Sequence, residues 1–156
     1  MAAKLDLPDF LAWIEKELGG YSSGDTVPSY RVVSGEVRGW NPYHGWMPIV
    51  WQDANERIRS STQPLIQSIG EISDLVNRGS NQLAAPMGSA KLGSLSSGFK
   101  MHTNIQLQIY RSALVGILDA VRNQILDWSL KLEKEGITGS GMSFSKTKRR
   151  RHIEQR

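Results

Sequence analysis

The feature that most constrains this chain is a long amphipathic run over residues 112–135, SALVGILDAVRNQILDWSLKLEKE. Its apolar residues recur every three or four positions, from Leu114 through Val121 and Trp128 to Leu132, which is the spacing of one helix face. The run therefore predicts a central helix over 112–135, with its apolar face buried against the other elements.

Shorter patterns predict the elements that surround this helix. Residues 30–39, 46–51 and 103–110 are rich in alternating apolar and polar side chains, which indicates strands, although a helix competes for the last of the three. The segment DLPDFLAWIEKELGGY reads as a helix, and WQDANERIRSSTQPLIQSIGEISDLVNRG reads as two. We expect an α+β fold with three to four helices and a small antiparallel sheet. Residues 137–145 read as a Gly/Ser linker.

The positive charge of the chain is concentrated at its end. The 156 residues carry 19 Lys and Arg against 15 Asp and Glu, a net charge of +4. Residues 146–156 hold six of the basic residues and one acid, which leaves a net charge of −1 for residues 1–145. We therefore predict one domain over 1–145 and a basic C-terminal tail over 146–156.

Composition excludes several classes of protein. The chain has no Cys, so it has neither a disulfide framework nor a thiolate site, and its three His residues are too far apart for a zinc motif. It has no apolar run of the roughly 20 residues that a bilayer requires, and no secretory signal. We expect a cytoplasmic protein without a metal or another cofactor.

The polar side of the long helix supplies the first candidate binding residues. Asp119 and Arg122 are three residues apart, and Asn123 and Asp127 are four apart, so each pair can interact on the helix surface. The stripe is either a recognition face or an internal network that ties the helix to the segment 13–21, and the internal network is favoured because charged pairs beside an apolar stripe are commonly structural.

Aromatic residues supply the second set of candidates, and three of the five Trp residues lie within residues 40–51. With Arg31 and Arg38 they could form a platform on which nucleic-acid bases stack, or they could pack the hairpin on the long helix, which we favour. Exposed Trp would also suit a protein interface. The aromatic candidates are Tyr30, Trp40, Tyr43, Trp46 and Trp51.

The tail and the acidic residues complete the candidates. The basic side chains Lys146, Lys148, Arg149, Arg150 and Arg151 could contact phosphates, or could form a solubilising terminus. The carboxylates of Glu15, Glu17 and Glu36 show no spacing typical of a magnesium-dependent nuclease, and the chain has neither a P-loop nor a GxSxG motif. No catalytic residue is predicted.

Four segments carry a family likeness: FLAWIEKELGGY, PSYRVVSGEVRGWNPYHGW, QSIGEISDLV and SALVGILDAVRNQILDWSLKLEKEGITGSGMSFS. In this order they resemble the AbiTii domain family, named for a bacterial factor of phage abortive infection, over roughly residues 1–145. The family resemblance implies a further N-terminal helical stretch, of which MAAKL would be the end, so we expect an N-terminally truncated domain.

The resemblance implies an association with anti-phage defence and carries no catalytic residues over to this chain. We expect a non-enzymatic interaction module whose partner is a protein, a second defence domain or a second copy of the chain. The alternative is a nucleic-acid-binding protein that uses the basic tail and the aromatic hairpin, and a nuclease is a weaker alternative. No membrane partner is expected.

Overall fold

A computed structural model describes the backbone of most of the chain, namely residues 7–85, 87, 104–135, 137–140 and 143–146. These residues form four α-helices, named α1 to α4, which span Leu7–Gly19, Ala54–Ser61, Ile69–Asn77 and Arg111–Lys134. They also form eight strands, named β1 to β8, which span Val32–Ser34, Glu36–Asn41, Gly45–Pro48, Thr62–Pro64, Gln82–Ala85, Ile105–Tyr110, Ile137–Ser140 and Ser143–Lys146. The predicted α+β class is confirmed.

The main sheet is antiparallel and four-stranded, in the order β3-β2-β6-β5. Val37 of β2 lies opposite Leu107 of β6, and both side chains are buried. Because side chains alternate between the two faces of a strand, Glu36, Arg38 and Trp40 lie on the other face of β2. Strands β1 and β4 form a separate antiparallel pair, and β7 and β8 form a third.

The chain divides into two compact units, with the boundary inside α4 between Leu118 and Asp119. The described core lies in the first unit. Its buried residues come from five strands or helices and from the segments between them: Val33, Val37, Leu65, Ile72, Val76, Met87, Leu107, Ile109, Leu114, Ile117 and Leu118. The second unit contains the rest of α4 and the pair β7–β8.

The predicted long helix is confirmed with bounds shifted by one residue, but its apolar face is buried over only part of its length. Leu114 and Val121 are buried, whereas Trp128 and Leu132 are half-buried and Ile125 is 45% exposed. The prediction that the whole apolar face is buried was therefore wrong for the second half of α4. A helix pattern fixes which residues share a face, but not how far along the helix a partner covers that face.

Short strands account for the other differences from the sequence prediction. The break between α2 and α3 contains β4, which pairs with β1, and β5 lies at the edge of the main sheet; neither strand was predicted. The segment 137–145 is not a linker over its described residues, because it contributes β7 and most of β8. The expected N-terminal truncation concerns residues before Leu7, which lie outside the described part of the chain.

Candidate functional site

The hairpin formed by β2 and β3 presents the predicted aromatic residues at one end of the main sheet. Its turn is set by Asn41, whose Oδ1 accepts hydrogen bonds from the backbone N–H groups of Tyr43 (2.8 Å) and His44 (3.2 Å). Gly45 completes the turn at φ +73°, a conformation that glycine adopts without a steric cost. The turn therefore holds the two strands in a single register.

That register brings Trp40 directly opposite Trp46. Their rings pack edge to face, with centroids 5.5 Å apart and planes at 70°, an arrangement that aromatic pairs prefer. Trp40 is 44% exposed and Tyr43, in the turn between them, is 90% exposed. We name Trp40, Tyr43 and Trp46 the aromatic patch. The favoured interpretation, in which these side chains are buried on the long helix, was wrong.

Three other members of the predicted stacking platform are half-buried, ion-paired or fully buried. Trp51 is half-buried and packs against the core. Arg38 is ion-paired with Glu36 on the same face of β2, with Nε and Oε2 2.6 Å apart. Arg31 is fully buried, so it cannot contact a phosphate, and its assignment to a phosphate-binding platform was wrong.

Arg31 instead forms a buried network with Glu17 of α1. Nε and Nη2 of Arg31 donate to the two carboxylate oxygens of Glu17, at 3.1 and 2.5 Å. Oε1 of Glu17 also accepts hydrogen bonds from the hydroxyls of Tyr21 (2.7 Å) and Tyr30 (2.6 Å). Trp13 Nε1 donates to the Tyr30 hydroxyl at 2.8 Å and extends the network beyond the carboxylate.

The same arginine ties this network to the segment before α3. Its Nη1 donates to the carbonyl oxygens of Leu65 (3.1 Å) and Gln67 (2.6 Å), and its guanidinium carbon lies 4.9 Å from the centre of the Tyr21 ring. Almost every donor of Arg31 is therefore used inside the protein. The arrangement serves folding, because Arg31 and Glu17 are buried and hydrogen-bonded to each other and to their neighbours.

Protonation in this network follows from burial and hydrogen bonding. Burial alone would raise the pKa of Glu17, but hydrogen bonds from Arg31, Tyr30 and Tyr21 lower it by more, so the pKa lies below its ordinary value of 4.5. Burial, and then the hydrogen bond to Glu17, raises the pKa of Tyr30 to about 12. The same two causes raise the pKa of Tyr21. Glu17 is therefore a carboxylate and both tyrosines are neutral at pH 7.

The predicted polar stripe of α4 lies in the second unit and is exposed. Nη1 of Arg122 lies 2.9 Å from Oδ1 of Asp119, and the two side chains are 70% and 57% exposed. Asn123 and Asp127 are exposed as well, next to the exposed Leu126. These four side chains therefore lie on the surface of α4, and a recognition face there stays a prediction.

A cleft that no sequence pattern indicated lies in the first unit, and its volume is about 440 Å³. The first residues of β2, the segment that follows β3 and one side of α2 line it. Trp51, Arg57 and Ile58 are among the lining side chains. Sequence could not bring them together, because the cleft depends on where α2 lies beside the sheet.

The comparisons with known proteins now identify the family. A family model described as AbiTii matches residues 1–156, the whole chain. This chain belongs to the AbiTii family. The name of the family associates it with phage abortive infection. No match was found among curated proteins or among solved structures.

Three further predictions for this AbiTii chain concern the tail, metals and membranes. Lys146 lies at the end of β8, whereas Lys148, Arg149, Arg150 and Arg151 lie outside the described residues. No group of three His, Asp or Glu side chains that could hold a metal ion occurs among the described residues. Within the same residues, no helix is both long enough and apolar enough to cross a membrane.

Proposed function

We propose that this AbiTii-family chain is a cytoplasmic, non-enzymatic interaction module of a phage abortive-infection system, and that it binds a protein partner through the aromatic patch. The observation that carries the proposal is the exposure of Trp40 and Tyr43 on a hairpin whose register and turn are fixed. Trp and Tyr are the residues that most often dominate the binding energy of protein interfaces.

Preorganisation strengthens this proposal. Trp40 already packs against Trp46 across the hairpin, so a partner need not order either side chain on binding. Ordering a side chain at an interface costs about 0.5–1.5 kcal/mol, and a preformed patch avoids that cost.

The proposal is tested by phage plating on cells that carry the native locus with Trp40→Ala or Tyr43→Ala. An interface anchor contributes about 2 kcal/mol or more, equivalent to a roughly 30-fold loss of affinity, so each change should weaken protection against phage. Leu18→Ala is the matched control, since Leu18 is 67% exposed on α1, away from the hairpin. Wild-type protection by both aromatic variants would contradict the proposal.

Size-exclusion chromatography of the purified chain distinguishes the proposed partners. A dimer that Tyr43→Ala dissociates would identify a second copy of the chain as the occupant of the patch. A monomer in both forms would favour a different protein or a second defence domain. Incubation with plasmid and Mg²⁺ should give no cleavage, and cleavage would contradict the non-enzymatic part of the proposal.

The second candidate function is single-stranded nucleic-acid binding, favoured by the exposed Trp40–Trp46 pair. The Arg38–Glu36 pair adds no net charge to this face, so this candidate assigns the phosphate contacts to the basic tail. Binding of a fluorescent oligonucleotide across a salt series should then weaken in Trp40→Ala and in a chain with Arg149, Arg150 and Arg151 changed to Gln. Absence of binding by the wild-type chain would exclude this candidate.

A further inference from the structure

The cleft beside α2 has the size and the walls of a small-molecule site. Its volume of about 440 Å³ falls within the range of about 300–1,000 Å³ that is typical of such sites. Ile49 and Trp51 line it and also pack against the hydrophobic core, so these two walls are held in place without a ligand. The cleft shares no residue with the aromatic patch.

The charges around the cleft favour an anion. Arg57 lines it from α2, and its guanidinium makes no ion pair with any other described residue. The carboxylate of Glu36 also lines the cleft, but Arg38 already holds it at 2.6 Å. The lining therefore contains one cation and one acid, and of these two only Arg57 is not held in an ion pair with another described residue.

The remaining lining is apolar or weakly polar. Val37, Ile49, Trp51 and Ile58 provide carbon and aromatic surface, and the Ser61 hydroxyl, which donates to the Ile58 carbonyl at 3.3 Å, can still accept a hydrogen bond. A flat apolar group would bury surface against these residues, while an anionic group would pair with Arg57, which binds carboxylates and phosphates bidentately.

We propose that this cleft binds a small organic anion that carries a flat aromatic ring, with the anionic group on Arg57 and the ring against Trp51. Aromatic carboxylates and mononucleotides share this chemistry. The site goes beyond the proposed interaction function, since neither its ligand nor its residues belong to the aromatic patch.

The test is a titration of the ¹⁵N-labelled full-length chain, followed by NMR, with adenosine 5′-monophosphate and with 2-naphthoate. The neutral analogues adenosine and 2-naphthamide serve as matched ligands. At least one of the two anions should shift the amides of Val37 and Ile49 and the indole N–H of Trp51, with saturation in the millimolar range or below. The neutral analogue of that anion should bind at least about tenfold more weakly, because a hydrogen bond to a charged group is lost.

Two matched variants assign the anion to Arg57. Arg57→Gln should weaken binding of the same anion by about tenfold or more. Arg59→Gln removes the same charge from the same helix at a residue that does not line the cleft, so it should leave binding nearly unchanged. Both side chains are exposed, and thermal melting should show that both variants fold.

Each result of the titrations either supports or overturns the proposed site. A response to the nucleotide alone or to the naphthoate alone supports the site and identifies which source of the anion it accepts. The proposal is overturned if neither anion shifts the cleft residues, if the neutral analogues bind as tightly, or if Arg57→Gln and Arg59→Gln weaken binding equally. None of these results bears on the aromatic patch, so the two proposals fail independently.

Discussion

Arg31 joins α1 to the segment before α3 within the first unit. It is fully buried, its charge is balanced by Glu17, and its Nη1 satisfies two carbonyl oxygens. Arg31→Met would leave a buried carboxylate without its cation, and removal of one partner of a buried pair costs about 3–5 kcal/mol. Urea denaturation should show a loss of this size, while Arg38→Met, which breaks a partly exposed pair, should cost about 1 kcal/mol or less. Equal losses in the two variants would contradict the structural role assigned to Arg31.

Arg31 also explains why the candidate site was only partly predictable from the sequence. Sequence placed Arg31 beside aromatic residues and suggested a phosphate contact, because an arginine beside aromatics is typical of a nucleic-acid surface. Its partner Glu17 lies on another element, 14 positions earlier, and no local spacing links the two. Trp40, Tyr43 and Trp46 were identifiable as candidates, but their exposure followed only from the register of the hairpin.

Gly35, in the bend between β1 and β2, lies too close to β6 for a side chain. A Cβ on Gly35 would lie 2.5 Å from the Gln108 carbonyl oxygen and 3.0 Å from the Leu107 side chain, so β6 would have to shift. Gly35→Ala should lower the free energy of unfolding by about 1–3 kcal/mol, the usual cost of overpacking. Gly24→Ala is the matched control, because a Cβ there meets nothing within 4 Å. Equal melting temperatures of the two variants would show that β6 can shift at little cost in stability.

Elements with strong periodicity were predicted well, and elements that depend on a distant partner were not. The long helix and β6 follow from apolar spacing within one segment. The strands β4 and β5 have three and four residues, too few for a pattern, and each forms because a partner strand lies beside it. The exposure along the second half of α4 was not predicted either, since burial depends on what packs against a helix face.

The dependence of overall stability on pH should reflect the network around Glu17. A group whose pKa is lower in the folded state stabilises the fold above its unfolded pKa and loses that contribution as the pH falls through the folded pKa. The contribution of Glu17 to stability should therefore be fully present above about pH 4.5 and should decline below that pH as Glu17 takes up a proton. For Tyr30 the sign is reversed, because its pKa is raised to about 12, so its contribution is present below the unfolded value of 10.0 and is lost as the pH rises towards 12.

Urea denaturation of Glu17→Gln between pH 2 and pH 7 tests the acid side of this dependence. The variant should be less stable than the wild type at pH 7, because the Arg31 cation loses its carboxylate, but its stability should fall less steeply below about pH 4.5. Glu15→Gln, which removes an exposed carboxyl of the same helix, should keep the wild-type slope. If Glu15→Gln flattens the acid limb as much as Glu17→Gln does, the loss of stability at low pH comes from the total charge of the protein and not from the buried pair.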